Sequence, residues 1–218
     1  MTTPNYLTDF NDHNDIVAQF VSRIEGVAVS TDREATVVAL TPSHIQVVND
    51  MGFEWSRTWR AEQVHGADIA IVGEKKHSKL IKNVDGLISN HPNTMLGIYV
   101  ADCGAIYILD QKTKAIGLLH SGKKGTEGNI LGRAVALMQS EYGSDPRDLL
   151  VSLAPCIRPP YYEIDFAKTI EKQAIEAGVL PEHYIDCAIC TANEVATYYS
   201  YRLEKGNTGR MLALLGRK

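Results

Sequence analysis

The chain has 218 residues, 44% hydrophobic and 22% charged, long enough to bury a core without disulfide or metal staples. Its 22 basic and 26 acidic side chains leave a formal charge of −4, which argues against a broad nucleic-acid surface but allows a local anion pocket. No stretch reaches the ~18–20 apolar residues of a membrane span, the opening MTTPNYLTDFNDHND lacks a signal peptide's basic and apolar regions, and the four cysteines are expected as thiols or metal ligands in a cytoplasmic protein.

Taken in order, GVAVSTD (26–32) and EATVVALT (34–41) read as two strands turning at Asp32-Arg33, and PSHIQVVNDMG (42–52) as a short helix closed by Gly52. AEQVHGADIAIVG (61–73) ends in an alternating strand, and EKKHSKLIK (74–82) is a basic run expected to form a solvated loop. TMLGIYVAD (94–102), GAIYILD (104–110) and KAIGLLHS (114–121) read as three apolar strands separated by tight polar turns. Apolar residues at Ile130, Leu131, Ala134, Leu137 and Met138 mark one face of a helix over 126–143. DLLVSLAPCI (148–157) returns as a strand, and residues 166–178 form an amphipathic helix stopped at Gly178. VATYYSYRLEKG (195–206) reads as a third helix, and residues 209–218 as a last strand. Strands with helices returning between them, and no composition break, predict one α+β domain over 1–218.

Residues 117–124 come within one residue of a phosphate-cradling loop, G-x-x-x-x-G-K-[ST], but Lys124 replaces the metal-binding hydroxyl. Leu118, Leu119 and His120 also read better as the end of a buried strand. Two histidines and a cysteine, His65, His120 and Cys103, can make a zinc set with an open fourth position. Their separations, 38 and 17 residues, follow no short metal motif, so spacing alone does not join them. His183, Cys187 and Cys190 have local spacing and, with Cys156, suggest an incomplete structural zinc site; buried thiols are the simpler reading. A cysteine nucleophile, Cys103 or Cys156 with a histidine base, is a further alternative, but nothing local marks either thiol as activated.

Seven motifs resemble, in order, those of the YfiH-type proteins: QVHG (63–66), VDGLIS (84–89), VADC (100–103), LLHSGKKGT (118–126), APCI (154–157), SYR (200–202) and TGR (208–210). That family was long labelled polyphenol oxidase or laccase-like and is now associated with purine nucleoside phosphorylase activity. The resemblance covers roughly residues 55–215 and implies a single α+β domain of packed mixed sheets with helices outside. It also implies that His65, Cys103 and His120 bind zinc, with copper able to enter the same site in vitro. The implied substrates are adenosine, inosine or methylthioadenosine with phosphate, with adenosine deamination as a second activity.

Lys123, Lys124 and Arg210 are then the expected phosphate or substrate contacts. Asp102 and Gln63 are the expected catalytic groups, with Asp85 beside them as a ligand-orienting candidate. The loop His120-Ser121-Gly122-Lys123-Lys124-Gly125 departs from the family's usual His-Ala-Gly-Trp-Arg-Gly. Lysine there keeps the charge but loses arginine's planar grip on an oxyanion. Two alternatives are an amide hydrolase acting on a peptidoglycan precursor through the same zinc and a non-catalytic metal or ligand binder. No nucleic-acid or membrane partner is expected.

Overall fold

Successive residues of a strand face opposite ways, and here each face meets a different apolar environment. The computed structural model describes residues 4–73 and 79–218. One five-stranded sheet has the order β1 (Ile16–Val21), β11 (Met211–Arg217), β6 (Thr94–Val100), β2 (Thr58–Ala61), β4 (Leu80–Ile81). A six-stranded sheet has the order β10 (Tyr184–Asp186), β9 (Leu149–Leu153), β7 (Gly104–Asp110), β8 (Ile116–Ser121), β5 (Gly86–Ser89), β3 (Ile69–Ile71). Both mix parallel and antiparallel pairs.

Leu96, Ile98 and Val100 of β6 pack in one cluster with Tyr107 of β7 and Ile116 and Leu118 of β8, so the two sheets share an inner core. The opposite parity of β7, Ile106 and Ile108, packs against α4 (Ile130–Tyr142) and α5 (Phe166–Glu176). On the outer face of the five-stranded sheet, Met95, Leu212 and Leu214 meet Val47 and Val48 of α2 (Arg33–Asp50). The result is a helix–sheet–sheet–helix stack, the α+β packing of mixed sheets with outer helices. Two further helices are short: α1 (Thr8–Asn11), whose Phe10 packs into the inner core, and α3 (Lys123–Glu127), which follows β8. Among the described residues, no helix is long and apolar enough to cross a membrane.

This layering brings several chain segments to one end of the sandwich. The chain passes from β6 in one sheet to β7 in the other through residues 101–103, and from β2 to β3 through 62–68. β2 runs parallel to β6, Gly104 pairs with Ser121, and Met211 pairs with Val100. Both crossings, the end of β8 and the start of β11 therefore share that end.

Several sequence expectations are corrected. Residues 34–41 are not a strand but the first half of α2, which continues through residues 42–50. The Asp32 carboxylate accepts from the Glu34 and Ala35 amides, capping the helix, and Leu40, Val47 and Val48 bury its inner face. Pro42 is tolerated inside because the carbonyl it cannot serve, that of Val38, lies on the exposed face. Residues 26–32 are irregular rather than a strand.

Residues 195–206 form turns rather than a helix. Glu204 accepts from the Ser200 amide and the Thr208 hydroxyl and pairs with Arg23 at 2.8 Å, so local polar bonds replace the helical ladder. The helix expected over 126–143 is split: α3 ends at Glu127, and α4 begins after left-handed Asn129, whose side chain caps the Gly132 amide. β1 and β2 were not signalled by the pattern. Within the basic run, residues 74–78 lie outside the described residues, and Leu80–Ile81 forms β4.

Candidate metal centre

His120 continues the parity of Ile116 and Leu118, so its side chain enters the space between the sheets where β8 ends. Cys103 closes the β6–β7 crossing, and His65 sits in the β2–β3 crossing with a positive φ of 63°. The donor atoms of these three side chains all lie within 4.8 Å of one another. Their rings and thiol run from exposed (His65) through half-buried (Cys103) to buried (His120), so the set opens to solvent on one side. A tetrahedral metal with bonds of about 2.0–2.3 Å spaces its ligands by roughly 3.3–3.6 Å, within reach of small rotamer adjustments here. A thiolate and two imidazoles with an open side fit a catalytic three-ligand metal.

Asp85 organises this set from beneath. Its carboxylate is fully buried and accepts from His120 Nδ1 at 2.7 Å and from the backbone amides of Val64, His65 and Gly66 at 3.1, 2.9 and 2.7 Å. One carboxylate thus fixes the His120 ring, leaving Nε2 for a metal, and pins the loop that carries His65. Burial raises the Asp85 carboxyl, but His120 and the Gly66 and His65 amides outweigh it and hold it below its ordinary value. Burial also pushes the Cys103 thiol up, yet His120 and His65 bring it down to about 6. Burial lowers His120 in turn, while Cys103 and Asp85 raise it to about 9. The cluster is built to hold a thiolate in a site that cations stabilise.

Gly122 makes the approach possible. A Cβ there would lie 2.6 Å from Cys103 Sγ, inside contact distance, so any side chain at this position would displace the thiol. The set lies at the wall of a cavity of about 580 Å³. Gln63, Asp102, Lys123 and Arg210 also line it; Lys124 is exposed and is not among the lining residues.

Gln63 brackets β6, donating to the Tyr99 carbonyl and accepting from its amide, at 2.5 and 2.9 Å. Asp102, at a φ of 79°, accepts from Thr191 Oγ1, Ser200 Oγ and the Arg202 amide at 2.7, 3.1 and 2.7 Å. Tyr162, Phe166 and Tyr201 give the cavity aromatic surface, and Arg33 adds a charge. Tyr201 lies in the SYR motif and Gly122 in the HSGKKG loop, though the sequence assigns neither a role; Arg33 directly follows the Asp32 cap, and no periodic signal marks Tyr162 or Phe166 as cavity residues.

The alternative zinc cluster does not assemble. Among the described residues, His65, Cys103 and His120 are the one group of three metal-ligating side chains that comes together, and all four cysteines are free thiols. Cys156 and Cys190 are neighbours through an isolated backbone bridge, and burial raises Cys156 well above its ordinary value and Cys187 to about 11. Arg23 lies away from the cavity, with its guanidinium 4.3 Å from the Tyr199 ring centre.

Residues 22–167 and 162–218 match the profile of a family described as multi-copper polyphenol oxidoreductase laccase. The purine nucleoside phosphorylase YlmD of Geobacillus stearothermophilus is 30% identical over 236 residues, covering 91% of this chain and 85% of that protein. The crystal structure of YlmD from the same organism superposes with a TM-score of 0.84 at 27% identity, covering 94% of this chain and 92% of that one. A hypothetical protein YfiH of Bacillus licheniformis shares the fold at a TM-score of 0.83 and 21% identity, covering 94% of each chain.

Proposed function

We propose that this chain, which belongs to the multi-copper polyphenol oxidoreductase laccase family, is a zinc-dependent purine nucleoside phosphorylase. The observation that carries this reading is the convergence of His65, Cys103 and His120 on the wall of a cavity with aromatic and cationic surfaces. The name of the YlmD relative supports the substrate class. Copper oxidation by a multi-copper centre would need further ligand groups, and the described residues bring together one.

In the proposed reaction the glycosidic C–N bond breaks, a phosphate oxygen bonds to the anomeric carbon, and a proton goes to the departing base. A bound zinc supplies a Lewis acid at the cavity wall. His65, Cys103 and His120 would hold it, with Asp85 fixing the His120 ring and the loop that carries His65. Tyr162, Phe166 and Tyr201 offer ring faces and edges to the purine. Lys123 and Arg210 offer positive charge to phosphate, with Lys124 contributing at longer range.

Gln63 and Asp102 act by position. The Gln63 amide clamps Tyr99, and Asp102 holds residues 191–202 against the cavity, which keeps the Cys103 turn and Arg202 in place. Adenosine deamination is a second activity proposed for the same metal, and the protein is proposed to act in the cytoplasm.

Chromatography of adenosine, inosine and methylthioadenosine incubated with zinc-loaded protein tests this reading. The expected result is free base that forms only with phosphate and disappears in Cys103→Ala. Inosine formed from adenosine without phosphate would assign deamination instead. A protein that holds zinc yet releases no base from any of the three would overturn the phosphorylase reading and favour the amide-hydrolase or binding-protein alternatives.

A further inference from the structure

We propose that Arg33 and Arg210 together form the oxyanion subsite of this cavity and take inorganic phosphate between their guanidinium groups; the proposal rests on the phosphorylase reading above.

The chain as a whole is acidic, at −4, yet its cavity is not. Five cationic side chains line it, Arg33, Lys123, Arg202, Lys205 and Arg210, against a single carboxylate, Asp102. Asp102 already accepts three hydrogen bonds from its own surroundings. Arg202 is paired with Glu163 at 3.1 Å. Among the described residues, Arg33, Lys123, Lys205 and Arg210 have no carboxylate within ion-pairing distance.

Of these four, the two arginines reach backbone carbonyls, Arg210 from a half-buried position and Arg33 from an exposed one. Arg210 is half-buried, and its Nη1 donates to the carbonyls of Thr208 and Gly209 at 3.2 and 2.8 Å. Its guanidinium lies 5.8 Å from the Tyr201 ring centre. Those bonds engage one of its three nitrogens and leave the others without a described protein acceptor. Arg33 is the first residue of α2, and its Nη2 reaches the Glu62 carbonyl beside Gln63 at 3.4 Å. It therefore approaches the cavity from the side of the His65 loop, whereas Arg210 enters from the start of β11.

Burial and then the charge of Arg33 lower the Arg210 guanidinium, and the smaller opposing effects of Tyr201, Cys103 and Asp102 do not offset them, as for two like charges lining one space. Such a pair is costly when empty and favourable around an anion. The planar forks of two arginines match the oxygens of a tetrahedral oxyanion in a way that lysine ammonium groups do not. The Lys123-Lys124 loop adds one lysine side chain to the same cavity.

Isothermal titration of inorganic phosphate into the zinc-loaded full chain tests the assignment. Arg33→Gln and Arg210→Gln are each expected to weaken phosphate binding by about tenfold or more. Arg33→Lys should fall between Arg33→Gln and the unchanged protein. Lys172→Gln, which removes an exposed charge paired with Glu176 along α5, controls for net charge and should bind as the unchanged protein does. Zinc content and melting temperature confirm that each variant is folded.

In steady-state assays, Arg33→Gln should raise the phosphate KM by a similar factor and leave the nucleoside KM nearly unchanged. Phosphate binding that is undetectable, or that is the same in Arg33→Gln, overturns the subsite. Phosphorolysis with an unchanged phosphate KM in Arg33→Gln also overturns it while leaving the phosphorylase reading intact. Arginine-dependent phosphate binding without any base release supports the subsite and removes the phosphorylase reading.

Discussion

Asp85→Ala is expected to lower metal affinity by at least about 10–100-fold, the range typical of a lost ligand-orienting carboxylate. The effect should lie at the upper end because this carboxylate serves two ligands. It fixes the His120 ring through Nδ1 and also accepts three consecutive amides of the loop that presents His65. Without it, the His65 turn loses the bonds that hold its left-handed backbone. A buried donor left unpaired costs about 1–3 kcal/mol. His120 is buried, whereas the Val64–Gly66 turn is open enough for water to replace part of what is lost. A net loss of roughly 2–4 kcal/mol of stability is therefore expected.

Asp85→Asn keeps the volume but turns one acceptor into a donor, and should be intermediate in stability and poor in metal binding. Competition titration with a zinc chelator, alongside urea unfolding, measures both effects. Unchanged zinc affinity in Asp85→Ala would show that the carboxylate does not organise the site.

Gly122→Ala is expected to abolish stoichiometric zinc binding while leaving the fold largely intact. The added methyl would meet Cys103 Sγ at 2.6 Å. The thiol must move to relieve that contact, and a rotation about its Cα–Cβ bond changes its distance from the His65 and His120 donor atoms, which now lie within 4.8 Å of it. The backbone itself tolerates alanine, since Gly122 has a φ of −96°. The penalty is therefore steric and local, roughly the 1–3 kcal/mol of an overpacked site. Far-UV circular dichroism should match the unchanged protein, with zinc content near zero. A Gly122→Ala protein that keeps one zinc would mean that Cys103 is not a ligand in the geometry described.

The periodic parts of the fold were legible in the sequence. GAIYILD coincides with β7 at residues 104–110, and β6, β8, β9, β11 and α5 lie where apolar runs and amphipathic spacing put them. These elements are buried on one or both faces, so packing and local pattern agree. α2 defeated the reading because Thr36, Val37 and Val38 look like a strand and Pro42 looks like a boundary. Burial of Leu40, Val47 and Val48 against the five-stranded sheet, with the Asp32 cap, overrides both signals. The failed helix at 195–206 has the opposite cause: Ser200, Glu204 and Thr208 bond to one another and to Asp102 instead of continuing a helix.

The candidate site was legible unevenly. His120 could be placed at the end of an apolar strand, but with Leu118 and Leu119 both apolar the alternation does not say which face it takes. His65 and Cys103 lie on irregular crossings between sheets, which carry no periodicity, and only the family resemblance joined them to His120. Asp85 could be suspected from its place beside the motifs, but its bonds depend on a tertiary contact between β5 and the His65 loop. Arg33 was hidden by the misread helix: as part of a turn between strands it had no reason to face a cavity.

Elemental analysis of the purified full chain tests most directly whether His65, Cys103 and His120 form one metal centre. Inductively coupled plasma mass spectrometry should find about one zinc per chain, and below about a tenth of that in His65→Ala, Cys103→Ala and His120→Ala, since a structural ligand is not readily replaced. A full equivalent of zinc retained in Cys103→Ala, or several coppers per chain in the unchanged protein, would contradict it.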